Sequence, residues 1–226
     1  MKKHIVVLTG AVISAESGIK TFRDSNGLWE GHDVMSVASP EGFAENPKLV
    51  LDFYNQRRKQ LLEVEPNKAH YDLAKLEIDY KVTIITQNVD DLHERAGSTK
   101  VIHLHGELLK SRNIKTDAKT YTCKTDINIG DVDKNGIQLR PHIVWFGEDV
   151  PLIDKAVDIC QTADYLMIVG TSLQVYPAAG LMNFVPKFTP KYYIDNNPAE
   201  TNDISIITIK ELASTGVEKV IAMIKS

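Results

Sequence analysis

Cysteine is scarce in this chain, and neither a basic excess nor a long apolar run is present. The 226 residues include 2 cysteines, Cys123 and Cys160, which are too few for a disulfide framework and fit a reducing compartment. The formal net charge is −4, so no basic surface indicates a nucleic-acid partner. No apolar run approaches the roughly 20 residues that cross a bilayer. We therefore expect a cytoplasmic protein without nucleic-acid or membrane partners.

The chain also lacks the full glycine pattern of a dinucleotide-binding loop. Residues 4–8 form an apolar run that predicts a buried strand, and the chain then breaks at Gly10 into small residues that could open a helix. A strand followed by such a turn offers free backbone N–H groups to a phosphate. However, the G-x-G-x-x-G fingerprint has a second glycine where this sequence has Val12. The residues alone therefore leave two interpretations open, a phosphate loop and an ordinary turn after a core strand.

The rest of the sequence alternates β-branched runs with segments of helical periodicity. We predict strands at 4–8, 82–86, 101–105, 137–145, 165–169, 191–195 and 204–208. We predict helices at 47–64, 67–76, 152–162, from 177 and from 213, and a further helix that runs to residue 96 and stops at Gly97. This alternation predicts an α/β fold with a mostly parallel sheet and helices on both faces. Residues 110–136 are polar and lack a clear period, which indicates an inserted lobe or a loop. The length and the 43% of hydrophobic residues fit one medium-sized domain.

Polar side chains follow two of the predicted strands at their carboxyl ends. They are Gln87, Asn88 and Asp90 with its neighbours after one strand, and Thr171 and Ser172, which follow Gly170, after the other. Ligands of doubly wound sheets bind at this edge. His103 and His105 share one face by the period of a strand, but a metal site needs a third ligand, and none lies nearby in the sequence.

Taken in their order along the chain, these segments resemble the motifs of the sirtuins, the NAD-dependent protein lysine deacylases. Residues 10–23 are similar to the signature loop of that family, and 86–93 and 105–107 to its second and third motifs. Residues 141–148, residues 170–173 and the tail after 209 align as well. The resemblance covers nearly the whole chain except the polar segment at 110–136. It implies a Rossmann-like domain with a small lobe, and a cleft between them in which NAD and an acyl-lysine peptide meet. The implied products are nicotinamide, deacylated lysine and O-acyl-ADP-ribose.

The resemblance also assigns roles to single residues. Around NAD it places Gly10, Ala11, Val12, Ser14, Glu16, Thr21, Phe22, Arg23, Trp29, Gln87, Asn88, Val89, Asp90, His105, Gly170, Thr171, Ser172, Asp195 and Ala213. It makes His105, Asn88 and Asp90 catalytic, since a histidine suits a base near neutral pH and amides with a carboxylate suit a developing positive charge. The substrate peptide is expected to add as a strand beside Val144, Trp145, Phe146, Gly147 and Glu148.

The helix at 47–64 carries the prediction about the acyl group. Tyr54 and Arg57 lie on one face of it, and an arginine inside an apolar stripe calls for an anionic partner. Their order, Tyr-x-x-Arg, resembles the pair that marks the sirtuin branch acting on malonyl, succinyl and glutaryl groups. A phenol and a guanidinium one turn apart could hold one carboxylate together. The alternative is a surface arginine on a structural helix.

The sequence departs from the family pattern at several positions. Sirtuins usually hold the small lobe with four cysteines on zinc, whereas Asn113 and Thr116 fall where the first pair is expected and Cys123 stands alone. We therefore predict no metal. Val12 replaces a usual glycine, which would cost roughly 1–3 kcal/mol if that backbone needs a positive φ or touches phosphate. Lys20 and Asp195 replace the commoner proline and asparagine.

These departures keep two other functions open. The chain could be a sensor that binds NAD or ADP-ribose with little turnover, or an NAD glycohydrolase or ADP-ribosyltransferase that uses the same cleft. We place the large Rossmann-like part at 1–30, 67–106 and 137–226 and the small lobe at 31–66 and 107–136. We expect a monomer.

Overall fold

The structure, a computed structural model, describes residues 2–20, 28–29, 31–116, 118–201 and 203–226. The predicted cofactor residues Thr21, Phe22 and Arg23 lie outside the described residues. The strands are β1 (His4–Thr9), β2 (Leu28–Trp29), β3 (His32–Asp33), β4 (Lys81–Thr86), β5 (Val101–His103), β6 (Gly106–Asn113), β7 (Thr120–Thr122), β8 (Leu139–Ile143), β9 (Tyr165–Val169), β10 (Lys191–Ile194) and β11 (Ile206–Ile209).

Six of these strands form one parallel sheet in the order β11-β10-β9-β1-β4-β5. β1 lies between β4 and β9, and all six of its residues are buried. A strand covered on both faces needs apolar side chains on both, which is why its sequence reads as a run and not as an alternation. The predicted parallel sheet is thus confirmed, as are its strands, within a few residues at their ends.

The helices are α1 (Val34–Val37), α2 (Pro40–Glu45), α3 (Pro47–Glu63), α4 (Lys68–Lys75), α5 (Leu92–Arg95), α6 (Ile153–Cys160) and α7 (Ala213–Lys225). Turns of 3₁₀ helix cover Ala11–Ser17, Leu76–Ile78 and Ala178–Phe184, the last where we predicted a helix from residue 177. Helix α3 begins as its sequence indicates, because the Asn46 side chain accepts a hydrogen bond from the N–H of Leu49 at 3.0 Å. None of the helices in the described part of the chain is long and apolar enough to cross a membrane.

Helices cover the parallel sheet on both faces. Ile5 and Val7 of β1 pack with residues of α4 and α7 in one core cluster. Val6 and Leu8 point to the other face, where they pack with α6 and the 3₁₀ segment Ala178–Phe184. This is a Rossmann-like α/β architecture, in which the two cores are divided by the sheet itself.

A second, three-stranded antiparallel sheet has the order β7-β6-β8. We expected the α/β alternation to resume at residue 137, and this was wrong for β8, which pairs with β6 and not with the parallel sheet. The alternation resumes at α6. A third core cluster joins α3 to this antiparallel sheet through Phe53, Tyr54, Leu108 and Ile143. The division into a large part and a small lobe at the residue boundaries given above stays a prediction.

Hydrogen bonds surround the position at which the family pattern expects a metal ligand. The side-chain oxygen of Asn113 accepts the N–H groups of Lys115 and Thr116, both at 2.9 Å. Its amide nitrogen donates to a carboxylate oxygen of Asp133, also at 2.9 Å. Among the described residues no group of three or more His, Cys, Asp or Glu side chains could hold a metal ion. That the chain binds no zinc stays a prediction, which elemental analysis would test.

Candidate active site

The predicted loops meet where the parallel strands end. The N–H of Gly10 donates to the carbonyl of Val169, and the N–H of Val12 to the carbonyl of Gly170, both at 3.0 Å. A Cβ atom on Gly10 would come within 2.8 Å of the Gly170 oxygen, so the first glycine is required by close packing of the two turns. The N–H of Gln87 reaches the carbonyl of Thr9 at 2.9 Å. Because β1 has β9 on one side and β4 on the other, this is the crevice in which doubly wound sheets bind ligands.

A cavity of about 340 Å³ opens at this edge. Most of the predicted site residues line it. They are Gly10, Ala11, Val12, Ser14, Trp29, Tyr54, Gln87, Asn88, Val89, Asp90, His105, Val144, Trp145, Phe146, Gly147, Glu148, Gly170, Thr171 and Ser172. The chain thus brings together three strand ends, one histidine and the turn after β8.

Four of the predicted site residues that the structure describes do not line this cavity. Both carboxylate oxygens of Glu16 accept hydrogen bonds from Ser214, its N–H at 2.9 Å and its hydroxyl at 2.6 Å, so this side chain joins the loop after β1 to the first turn of α7. Asp195 is buried and accepts the N–H of Asn197 at 2.8 Å. Ala213 belongs to a core cluster. Arg57 lines a smaller cavity described below.

Ser14, Asn88 and Asp90 form one hydrogen-bonded group in the cavity wall. The Ser14 hydroxyl donates to Asp90 at 3.0 Å and accepts the Asn88 amide at 3.1 Å. The other Asp90 oxygen accepts the N–H of Leu92 at 3.2 Å. Burial raises the pKa of Asp90 above its usual value despite these two donors. The group presents an amide and a carboxylate whose positions are fixed before any ligand arrives.

His105 has the arrangement of a general base. Its Nδ1 lies 3.0 Å from the carbonyl oxygen of Gln87, and because a carbonyl only accepts, Nδ1 carries the proton and Nε2 is left as the basic nitrogen. Burial lowers the pKa of His105 below 6.5, against the effect of this hydrogen bond. The ring is therefore neutral and able to accept a proton at pH 7.

His103 has different surroundings. Its Nδ1 lies 3.1 Å from the carbonyl oxygen of Asn88, and its Nε2 lies 2.8 Å from a carboxylate oxygen of Glu94. Both partners are acceptors, so the ring is satisfied when both nitrogens carry a proton. Burial acts to lower the pKa of His103, but the hydrogen bond and the charge of Glu94 outweigh it, and the pKa is raised. The His103 ring therefore supports the backbone of Asn88 and has both of its nitrogens engaged.

The turn after β8 is held from several sides. The N–H of Val144 donates to His105, that of Trp145 to Glu148, that of Phe146 to Ala38 and that of Glu148 to Trp145. A peptide that adds here as a strand would therefore use carbonyl groups of the turn and the N–H of Gly147.

A smaller cavity of about 60 Å³ adjoins the first one. Tyr54, Asp90, Val89 and Trp29 line both cavities, and Arg57 lines the smaller. The Arg57 guanidinium carbon lies 4.9 Å from the centre of the Phe53 ring, which fixes the side chain on this face of α3. Tyr54 and Arg57 are therefore neighbours in one recess, as their spacing predicts.

Sequence reasoning missed two buried arginines. Arg58 is 1% exposed, and it donates to the Asn55 side chain and to the carbonyl of Leu108. Arg140 is 4% exposed and pairs with Glu148 at 2.7 Å. Tyr176 and Pro177 also line the larger cavity, and neither was predicted as a site residue. An ion pair of Arg140 could have been predicted, since a charged residue within a buried strand requires an opposite charge nearby.

Fold and cavity together define a nucleotide-binding α/β protein with a smaller recess that adjoins the main cavity. A model of the Sir2 family matches residues 10–177. An "NAD-dependent protein deacylase" of Helicobacter pylori is 62% identical over 193 residues, which cover 85% of this chain and 84% of that protein. A protein of the same description from Bacteroides thetaiotaomicron is 52% identical over 224 residues and covers 96% of both. The crystal structure of a Sir2 homologue in complex with NAD superposes with a TM-score of 0.88 at 36% identity, over 99% of this chain and 90% of that one.

The chain belongs to the Sir2 family. The predicted sirtuin resemblance is confirmed along almost its whole length.

Proposed function

We propose that this chain removes from protein lysines those acyl groups that end in a carboxylate, such as malonyl and succinyl groups. The broader activity needs no proposal, since the chain is an NAD-dependent protein deacylase of the Sir2 family. The preference rests on one observation, the pairing of Tyr54 and Arg57 in the recess beside the main cavity. A guanidinium and a phenol offer several donors to a carboxylate, whereas an acetyl group has no oxygen at its far end.

The residues present fit NAD. The cavity lies at the switch point of a Rossmann-like sheet, its wall combines the amide of Asn88 with hydroxyl groups and the Asp90 carboxylate, and the turns after β1 and β9 contact each other there. When bound, NAD supplies the ADP-ribosyl group that receives the acyl group, and nicotinamide leaves. Gly10, Ala11, Ser14, Thr171 and Ser172 would surround the cofactor. We propose the same for Thr21, Phe22, Arg23, Asp195 and Ala213.

We propose that Asn88, Asp90 and His105 act directly in the reaction. Asn88 and Asp90 are held rigidly by Ser14, so they would orient a neutral carboxamide and offset a positive charge without rearranging. Nε2 of His105 would accept a proton from a hydroxyl group in the cavity. Residues 144–148 would hold the peptide that carries the acyl-lysine, through their carbonyls and the Gly147 N–H.

Nicotinamide release, measured with and without a succinyl-lysine peptide, tests the proposed activity against its alternatives. We expect release to be slow with NAD alone and to rise at least about tenfold with the peptide, because the acyl oxygen is the intended nucleophile. Release that ignores the peptide would indicate a glycohydrolase. NAD binding without release in either assay would indicate a sensor.

We expected Val12 to weaken NAD binding or activity, either because its backbone needs a positive φ or because it touches phosphate. The backbone geometry argues against the first reason. Leu173 is the only non-glycine residue with a positive φ among those described, so the valine backbone is not strained. We expect Val12→Gly to lower stability by about 1 kcal/mol and the Tm by roughly 2–4 °C, since glycine has more freedom in the unfolded chain.

The NAD dissociation constant of Val12→Gly should stay within about twofold of the wild-type value, because the turn is already compatible with a side chain. Isothermal titration of both proteins measures this. Val12→Ala, which keeps the Cβ atom, is the matched control. Tighter NAD binding by the glycine variant but not by the alanine variant would show that the backbone needs a closer approach to phosphate.

We further propose that the chain acts in the cytoplasm, as a monomer, on acylated proteins or peptides and without nucleic-acid or membrane partners. The use of 2 cysteines supports a reducing compartment, and the net charge of −4 supports the absence of a nucleic-acid partner.

A further inference from the structure

The hydroxyl of Tyr54 receives a hydrogen bond that determines what it can do next. The indole N–H of Trp145 donates to the Tyr54 oxygen at 3.0 Å. Both side chains are buried, at 2% and 1% exposure, and their rings lie 6.3 Å apart with 30° between the planes. An indole has a single donor and no acceptor, so this contact fixes one lone pair of the phenol oxygen and leaves its hydrogen to point elsewhere.

No acceptor for the Tyr54 hydrogen is found among the described residues, although its side chain lines both cavities. A buried donor without an acceptor is costly and is normally met by a partner. Burial also raises the pKa of Tyr54 well above its usual value, so the hydroxyl keeps its proton at neutral pH. The phenol is therefore a neutral donor in the wall of both cavities, the smaller of which Arg57 also lines.

Trp145 is itself held in place by charged groups. Its backbone N–H donates to a Glu148 carboxylate oxygen at 2.8 Å. Glu148 pairs with Arg140, and the Arg140 guanidinium carbon lies 3.1 Å from the centre of the indole ring. Phe43 covers the ring from another direction at 5.3 Å between centroids. These contacts hold the indole in one orientation, and its hydrogen bond in turn orients the Tyr54 hydroxyl.

We propose that Trp145 is a specificity-determining positioning residue, which turns the Tyr54 hydroxyl so that its hydrogen is donated to the far carboxylate of the acyl group. This inference rests on the proposed preference for acyl groups ending in a carboxylate. An acetyl group ends in a methyl and offers no acceptor, so it gains nothing from this orientation. Trp145 would then favour succinyl over acetyl substrates through Tyr54 and not through contact of its own.

A double-mutant cycle tests the inference. We would measure kcat/KM for a succinyl-lysine and an acetyl-lysine version of one peptide with the wild type, Tyr54→Phe, Trp145→Phe and the double variant. Tyr54→Phe should lower the succinyl-to-acetyl ratio about ten- to a hundredfold, since it removes a donor to a charged group. Trp145→Phe keeps an aromatic ring under Arg140 and should lower the ratio about three- to tenfold. In the Tyr54→Phe background it should lower the ratio no further.

Two further measurements separate positioning from general damage. Trp145→Phe should raise KM for the succinyl peptide and leave kcat unchanged, because the far carboxylate takes no part in bond breaking. Phe43→Leu, which loosens the packing of the indole but keeps its N–H, is the matched control and should leave the ratio unchanged. If Trp145→Phe does not fold, replacement of Trp145 by benzothienylalanine removes the N–H and keeps the bicyclic ring.

The outcomes distinguish this inference from the proposed function. If Tyr54→Phe changes the ratio and Trp145→Phe does not, the role of Trp145 is overturned while the acyl preference stands. The same conclusion follows if Trp145→Phe has an equal effect in the presence and absence of the Tyr54 hydroxyl. If Tyr54→Phe itself leaves the ratio at its wild-type value, the phenol does not bind the carboxylate, and both the inference and that part of the proposed function are overturned.

Discussion

His105→Ala is expected to lower kcat for deacylation roughly 10²- to 10⁴-fold, the range typical for loss of a general base. The reason is the geometry of the ring, whose Nδ1 donates to the carbonyl of Gln87 and leaves Nε2 to accept a proton. NAD should still bind within about threefold of the wild-type affinity, since the base acts after the cofactor is held. Single-turnover kinetics together with a direct NAD titration would separate the two effects.

The matched control is His103→Ala, which should cost less than about tenfold in kcat, because His103 supports the Asn88 backbone and takes no proton from the substrate. The pH profile gives an independent check. Burial lowers the pKa of His105 below 6.5, so the base is lost as the pH falls through that lowered pKa, and the midpoint of the fall in kcat should lie below pH 6.5. Equal losses in both variants would remove the distinction between these histidines.

Arg57→Met is expected to lower the ratio of kcat/KM for succinyl and acetyl peptides roughly ten- to a hundredfold. Hydrogen bonds to a charged partner contribute about 1.5–3 kcal/mol, and each 1.4 kcal/mol corresponds to a factor of ten. Methionine keeps much of the apolar stem that lies against Phe53 and removes the charge. The measurement is a comparison of the two peptides with the wild type and the variant.

Two variants serve as controls for Arg57. Gln56→Met changes the neighbouring exposed position of α3 and should leave the ratio as it is. Arg57→Lys keeps the charge but loses the bidentate fork, so it should retain part of the preference. A methionine variant with the wild-type ratio would mean that Arg57 is a structural surface residue and that the recess does not select carboxylates.

Local features of this fold were predictable because each depends on a short stretch of sequence. The start of α3 follows from Asn46 and the proline after it, and the end of α5 from Gly97, which has a φ of 105°. The parallel sheet follows from the alternation of strands and helices. The pairing of β8 with β6 was not predictable in the same way, because its partner lies across the polar segment at 110–136 and nothing local specifies it.

The two adjacent arginines of α3 show the same limit within the site. Arg57 lies on the stripe that includes Phe53 and Tyr54, and its place in the recess could be read from the spacing. Arg58 is more deeply buried, because a second cluster of Leu51, Cys123 and Ile127 covers the other face of the helix. That cover comes from a distant segment, so periodicity along α3 alone does not reveal it.

The hydrogen bonds between Glu16 and Ser214 join residues that lie 198 positions apart in the sequence. The helix that begins beside Ser214, α7, also covers one face of the parallel sheet. A variant cut before residue 213 would therefore lose the attachment of the loop after β1 together with the cover of that face. The order of this loop and the stability of the sheet depend on one helix, so a change in α7 can alter the loop without any substitution in the loop itself.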